Sequence, residues 1–326
     1  MKKMTHHLTL VSLGLALCFG SANLWAQSAA NYPDKPVKVI IPFPPGGTLD
    51  KIGRMLALKM GEQLGQNFVV ENRPGVPGMM AGKEALPDGY TLTFGTSGTL
   101  AVNPAVYSKL TYDTQRDFAM IHGGGVIPMV IVASATSPFQ SLKDLVDAAR
   151  KEPGKYNIGY GGVNNTQHLT GELFKSYAKV DLVGVTYKGS AAAVTDLLGG
   201  QVSLLVDSLA ATMPHIKSGK IRPLAISTLQ RVPQMPDLPT VAESGYKYFE
   251  ADQWYGVVAP AGTPRDIVTK LNQQINLALN GAELKKRLNT EGAVAMPETP
   301  EVFGNLIVQE IERWRPVITS GRVKVD

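Results

Sequence analysis

The sequence predicts an α/β protein of two lobes, each a mainly parallel sheet flanked by helices. Three observations predict it. Short β-branched apolar runs alternate with stretches of helical periodicity along most of the chain, the pattern that builds parallel sheets with helices on both faces. At 326 residues the chain exceeds what one core of ordinary size organises. Two glycine-rich strand-to-helix turns stand far apart, at 42–50 and 159–168.

Taken in order, Lys2 and Lys3 precede an apolar run at 8–19, of signal-peptide length and too short to span a bilayer. Residues 1–26 are therefore read as an export signal cut after Ala26, with Ala30 as the alternative. The sole cysteine, Cys18, lies inside it behind Leu17, which is not the small residue that lipid attachment needs. The mature chain then has no disulfide, as a bacterial periplasm permits. Val37-Lys38-Val39-Ile40-Ile41 reads as a buried strand, and Ile52, Met55, Leu56, Met60 and Leu64 recur at helical spacing behind it. Strands follow at 68–70 and 90–94, each bounded by turn residues. Residues 126–133 read as one long apolar strand that carries the chain into the second lobe. There a helix at 142–150, a strand at 156–160 and a helix at 167–178 precede strands at 182–187, 202–206 and 224–228. The return is expected near 251–258, before helices at 266–279 and 300–318. The expected lobes are 27–127 with 252–326, and 128–251.

The formal charge of +5 falls by two when Lys2 and Lys3 leave with the signal. That excess is too small and scattered for nucleic acid, which is not expected as a partner; it suits small acidic ligands. Pro42-Phe43-Pro44-Pro45-Gly46-Gly47-Thr48-Leu49-Asp50 lies on the first strand-to-helix turn. Gly46 and Gly47 let a ligand approach the backbone, and the free N–H groups of the helix start suit a carboxylate or phosphate. The alternative is a tight turn in which Thr48 or Asp50 only caps the helix.

Gly159-Tyr160-Gly161-Gly162-Val163-Asn164-Asn165-Thr166-Gln167-His168 repeats that logic, with Asn164 and Asn165 able to donate and accept and Thr166 as the expected N-cap. It lacks the third glycine of a dinucleotide fingerprint, so no cofactor is expected. Thr96 and Ser97 can offer hydroxyls at a strand end, or form a plain turn. Asp207 faces the same crevice or caps a helix. His168 and Glu172 have metal-ligand spacing, but two ligands make no site, and no metal is expected. Phe43, Tyr187 and Trp254 can stack on a planar ligand or serve packing. Lys188 can meet a ligand or solvent. There is no Gly-x-Ser-x-Gly elbow, mature cysteine nucleophile, Walker loop or His-Glu-x-x-His, so no catalytic residue is named and an enzyme is not expected.

Several motifs then occur in order: Tyr32-Pro33-Asp34-Lys35-Pro36, the Pro42 to Asp50 turn, Glu71-Asn72-Arg73-Pro74-Gly75, Asp88-Gly89-Tyr90, His168-Leu169-Thr170-Gly171-Glu172-Leu173-Phe174, Tyr187-Lys188-Gly189-Ser190, Arg231 with Pro236-Asp237-Leu238-Pro239-Thr240-Val241-Ala242-Glu243, and Ala259-Pro260-Ala261-Gly262-Thr263-Pro264. Together they resemble the receptor component of tripartite tricarboxylate transporters, the Bug-type solute-binding proteins, over essentially the whole mature chain. The resemblance implies a periplasmic Venus flytrap of type II-like fold. It would hold a carboxylate through backbone N–H groups and bridging waters, and serve a two-subunit inner-membrane permease. Val163-Asn164-Asn165 replaces the family's Gly/Ser-rich loop, and Ala191-Ala192-Ala193 stands where proline often follows Lys-Gly-Ser. The expected ligand is a small organic carboxylate, with a lean to an aromatic, phthalate-type acid because aromatic residues flank the motifs. Aliphatic di- or tricarboxylates are the alternative. A ligand-sensing module uses the same fold, and a periplasmic hydrolase is the remaining alternative. A monomer is expected.

Overall fold

The structure, a computed structural model, describes residues 31–163, 165–296 and 298–319. The segment read as an export signal and Asn164 lie outside the described residues. The first part of the chain runs β1 (Val37–Ile41), α1 (Thr48–Leu64), β2 (Phe68–Asn72), α2 (Val76–Lys83), β3 (Thr91–Thr96), a π-helical turn (Gly98–Val102), α3 (Asn103–Val106), α4 (Thr114–Asp117) and β4 (Phe118–Ile127). The middle part runs β5 (Met129–Ser134), α5 (Leu142–Lys151), β6 (Asn157–Tyr160), α6 (Thr166–Ala178), β7 (Val183–Thr186), α7 (Ser190–Leu198), β8 (Leu204–Ser208), α8 (Leu209–Lys217) and β9 (Ile221–Ile226). The last part runs β10 (Gln253–Pro260), α9 (Arg265–Asn280), α10 (Ala282–Thr290), β11 (Val294–Ala295) and α11 (Pro300–Thr319).

These strands form two sheets, ordered β11-β4-β10-β3-β1-β2 and β7-β6-β8-β5-β9. The architecture is the two-lobed α/β one, but the sheets are mixed rather than mainly parallel. β2, β1 and β3 are parallel, as are β7, β6 and β8. β10 enters antiparallel to β3 and β4, and β5 antiparallel to β8 and β9. The cause is connectivity: β4, β5 and β10 carry the chain between the sheets, so they have no crossover helix to make them parallel to a neighbour. For the same reason residues 126–133 are not one strand. Pro128, which has no N–H to give a ladder, separates β4 of the first sheet from β5 of the second.

Helix α1 shows how the sequence sets this layering. Ile52, Leu56, Ala57 and Met60 are buried on one face, each large side chain contributing about 1.5–3 kcal/mol. Gly65, at φ +68°, ends the helix with its N–H on Gly61 O at 3.0 Å, a left-handed C-cap that suits glycine. The same core cluster takes Phe94 and Tyr255, stacked with centroids 5.5 Å apart, and on the second sheet Leu145, Leu169 and Phe174. On the opposite face of the first sheet, Phe303 and Ile307 of α11 pack with Leu100 and Trp254.

Candidate binding site between the two sheets

Register fixes where the loops gather. Tyr255, near the start of β10, pairs with Thr96 at the end of β3, so β3 and its parallel neighbour β1 point their C-terminal loops toward the crossings. Met129, the first residue of β5, pairs with Ser208, the last of β8, so β8, β6 and β7 do the same from the second sheet. Ligands collect at such strand ends in open α/β sheets.

On the first sheet, the Pro42–Thr48 turn leads into α1. Gly47 is the N-cap, and no side chain caps the helix, so its first N–H groups have no side-chain acceptor. Gly46 carries the positive φ, +89°, and Gly47 is extended at −73°. A Cβ at either glycine would meet nothing within 4 Å, so the turn borders open space. Thr48 is the half-buried first helical residue, and half-buried Phe43 packs on the main core. Asp50, expected at the ligand, is instead bound into the loop. It accepts Gly46 N–H at 2.8 Å, Arg54 Nε at 3.0 Å and Asn72 Nδ2 at 2.8 Å, and that same Asn72 amide reaches Phe43 O at 3.0 Å. Burial works to raise its pKa, but bonds from Arg54, Gly46 and Asn72 outweigh it and hold the carboxyl below its usual range. Asp50 therefore shapes the turn.

At the end of β3, Thr96 and Thr99 bond each other, Thr96 N–H to Thr99 Oγ1 at 2.9 Å. Ser97 is buried, and its Oγ has no partner among the described residues.

On the second sheet, α6 is capped by Asn165, whose Oδ1 accepts His168 N–H at 3.1 Å. Thr166 is thus the buried first helical residue and not the cap. Asn precedes Thr in cap preference because its carbonyl reaches the N3 amide from an extended backbone, here φ −99°, ψ 176°. His168 lies buried against the Tyr160 ring, centroids 4.9 Å apart, and burial lowers its pKa. Glu172 Oε1 takes Tyr160 OH at 3.0 Å and Lys175 Nζ at 2.8 Å, which accounts for the His168–Glu172 spacing. Among the described residues no group of three His, Cys, Asp or Glu could hold a metal.

The sequence reading took Gly189 and Ser190 only as part of a motif and gave them no place at the ligand. Tyr187 N–H bonds Tyr160 O at 2.9 Å and Gly189 N–H bonds Gly161 O at 3.0 Å, prolonging the β6–β7 pairing into the loop. Gly189, at φ +105°, then starts α7 with no side-chain cap, and a Cβ there would meet nothing within 4 Å. A Cβ on Gly161, by contrast, would come within 3.1 Å of Ser190 N, so Gly161 lets the two loops touch. The available signal was a glycine immediately before the helical Ser190-Ala191-Ala192-Ala193 run. Tyr187 packs on the second-sheet core, and burial, then a bond to Asp196, pushes its hydroxyl pKa up to about 12. Lys188 is exposed.

Asp207, next to last in β8, is fully buried. Its Oδ1 accepts Ser190 Oγ at 2.9 Å, Ser208 N–H at 2.7 Å and Gln167 Nε2 at 3.3 Å. Of its two readings Trp254 takes packing: it is 4% exposed and packs edge-on against Phe303 at 5.6 Å, inside the first lobe. The alternation of β10 turns Tyr255 to the other face.

The profile of the tripartite tricarboxylate transporter family receptor matches residues 52–322. Three solved structures are similar over nearly the whole chain. Rpa4515 of R. palustris with adipate is 36% identical at TM-score 0.74, covering 88% of this chain and 97% of its own. The periplasmic binding protein BugD is 34% identical at TM-score 0.72, covering 90% and 99%. MatC (Rpa3494) from Rhodopseudomonas palustris with bound malate is 32% identical at TM-score 0.71, covering 88% and 100%. The chain belongs to the tripartite tricarboxylate transporter receptor family of periplasmic solute-binding proteins, and is a transport receptor rather than an enzyme.

Proposed function

We propose that this chain captures a small aliphatic dicarboxylate between its lobes and passes it to the two membrane subunits of a tripartite transporter. One observation carries the reading: each sheet contributes a glycine-led helix start without a side-chain cap, α1 behind Gly47 and α7 behind Gly189. Each offers free N–H groups at the positive end of a helix dipole, so the pair suits an anion gripped from both sides. Thr48 opens α1, Ser97 follows β3 of the same sheet, and Asn165 caps α6 on the second sheet; these are the polar side chains assigned to the ligand in this reading. The lobes in this reading are 27–127 with 252–326, and 128–251.

Adipate and malate in the relatives support an aliphatic acid. Of the aromatic residues that favour a planar one, Trp254 is taken by Phe303 and Tyr187 by Asp196 and the core, which leaves Phe43. Closure is a shift between open and closed populations, driven only by contacts better made when closed. The protein works in the periplasm as a monomer after cleavage near Ala26.

A thermal-shift screen with adipate, malate, phthalate and their monoamides tests this. A ligand at about 100 times its Kd adds roughly 2.7 kcal/mol of apparent stability. Adipate or malate should raise the melting temperature and the monoamides should do so less. Stabilisation by phthalate alone would replace the aliphatic reading with the aromatic one. No shift with any carboxylate would overturn carboxylate capture.

A further inference from the structure

Asp207 has one crowded oxygen and one empty one. Three donors converge on Oδ1, from Ser190, Ser208 and Gln167. Oδ2 is buried and has no partner among the described residues. An ionised carboxylate shares its charge between both oxygens, so leaving one buried and undonated is costly. A carboxylic acid accounts for the asymmetry: the carbonyl oxygen gathers the donors, and the hydroxyl oxygen carries the proton. We infer that Asp207 stands as a neutral acid at the floor of the second lobe and donates Oδ2–H to a carboxylate oxygen of the captured ligand. This rests on the carboxylate reading above.

The surroundings agree. Asp207 is 0% exposed, and burial is the largest influence on its carboxyl, pushing the pKa up against the bonds from Ser190, Ser208 and Gln167. The bonds that reach it come from uncharged donors. β5 places Val130 opposite it. On α6, Glu172 is engaged by Tyr160 and Lys175, and His168 lies on the Tyr160 ring. Beside α7, Asp196 serves Tyr187 and Lys188 is exposed. Asp207 also lies near the crossing-facing end of β8, tied to the first turns of α6 and α7. A fixed negative charge there would repel the anion that two helix starts attract. A fixed donor would add to them.

Calorimetric titration of adipate from pH 6 to 9 tests the inference, with difference infrared spectra of the unliganded protein as a readout independent of ligand. Adipate affinity should be flat on the acid side and fall tenfold per pH unit above the pKa of Asp207 in the free protein. Asp207→Asn, whose amide donates at every pH, should flatten the profile. Asp207→Ala should weaken binding at least tenfold throughout, and His168→Gln should keep the wild-type profile. The wild-type minus Asp207→Asn difference spectrum should hold a protonated-carboxyl band, from which the other buried acids, Asp252 among them, cancel. Affinity rising with pH, or Asp207→Asn failing as badly as Asp207→Ala, would mean an ionised Asp207 that accepts from a ligand hydroxyl or ammonium, and would overturn the inference. Absence of the infrared band would overturn it by itself. If adipate binds at no pH while the band is present, the carboxylate reading fails and the neutral acid stands.

Discussion

Replacing Ser227 by alanine removes a single hydroxyl that serves both crossings between the sheets. On the outgoing crossing, Ser227 Oγ accepts the Met129 N–H at 3.0 Å. On the return, it donates to Asp252. The Ser227 backbone binds the same two segments, N–H to Met129 O at 2.9 Å and carbonyl to Ala251 N–H at 3.4 Å, so the side chain completes a junction already in register. Alanine leaves a buried amide without that acceptor and a buried acid without its donor. Each loss costs about 1–3 kcal/mol, so the variant should lose on the order of 3 kcal/mol. At about 2–4 °C per kcal/mol for a chain near this size, that is a fall of roughly 6–12 °C in melting temperature. The deficit should depend on pH. Burial raises the pKa of Asp252 to about 7, Glu250 and Glu310 add to the rise, and Ser227 and Arg313 oppose it. Its folded pKa therefore lies above its unfolded one, so its stabilising contribution is complete below about 3.8 and is lost as pH climbs through about 7. The full swing is on the order of 4 kcal/mol. Only the ionised acid needs the Ser227 donor, so Ser227→Ala should be worse at pH 8 than at pH 5. Scanning calorimetry at both values checks this. A melting temperature within 2 °C of wild type, or a deficit independent of pH, would refute the claim that this hydroxyl joins the crossings.

Three further outcomes follow from the site and one from the export signal. Gly47→Val puts a side chain into open space without φ strain, so it should fold normally and lose at least tenfold in adipate affinity by calorimetry, about 1.4 kcal/mol; normal binding would make the turn a mere connector. Gly189→Val adds strain at φ +105° to the same obstruction, and should lower both melting temperature and affinity. Asn165→Ala removes the α6 cap and should cost about 0.5–2 kcal/mol of stability, read by denaturant titration. Mass spectrometry of the periplasmic fraction should find Gln27, or a residue within a few positions, at the N-terminus.

The alternation of elements was legible because it rests on local periodicity. β1, α1, β6 and α6 stand within a residue or two of where apolar spacing put them. What periodicity cannot carry is direction: nothing in the apolar run at 126–133 says that Pro128 divides it between two sheets. The site was legible at glycines, where backbone demand shows in residue type, and illegible at carboxylates and aromatics. Asp50 and Asp207 both end or follow strands beside glycine-rich turns. One is spent on Arg54 and Asn72 and the other keeps an oxygen free, and partners 4 to 40 residues away decide which. Trp254 and Tyr255 are adjacent and both apolar in reading, yet they pack on opposite faces of β10.

That division of labour bears on what kind of specificity the family fold can produce. Free N–H groups at a helix start recognise a negative oxygen and little else, because the backbone is the same whatever the side chains are. In the proposed site two such starts, α1 and α7, would therefore select for charge and for the spacing between charges. In that reading the identity of the acid falls to side chains that keep an unpartnered polar atom, among them the Ser97 hydroxyl on one sheet and the second oxygen of Asp207 on the other. An acid matched to both would present an acceptor to each, one carboxylate per lobe. Closure would then bring no new charge into the crevice, only donors already held in place by Ser190, Ser208 and Gln167.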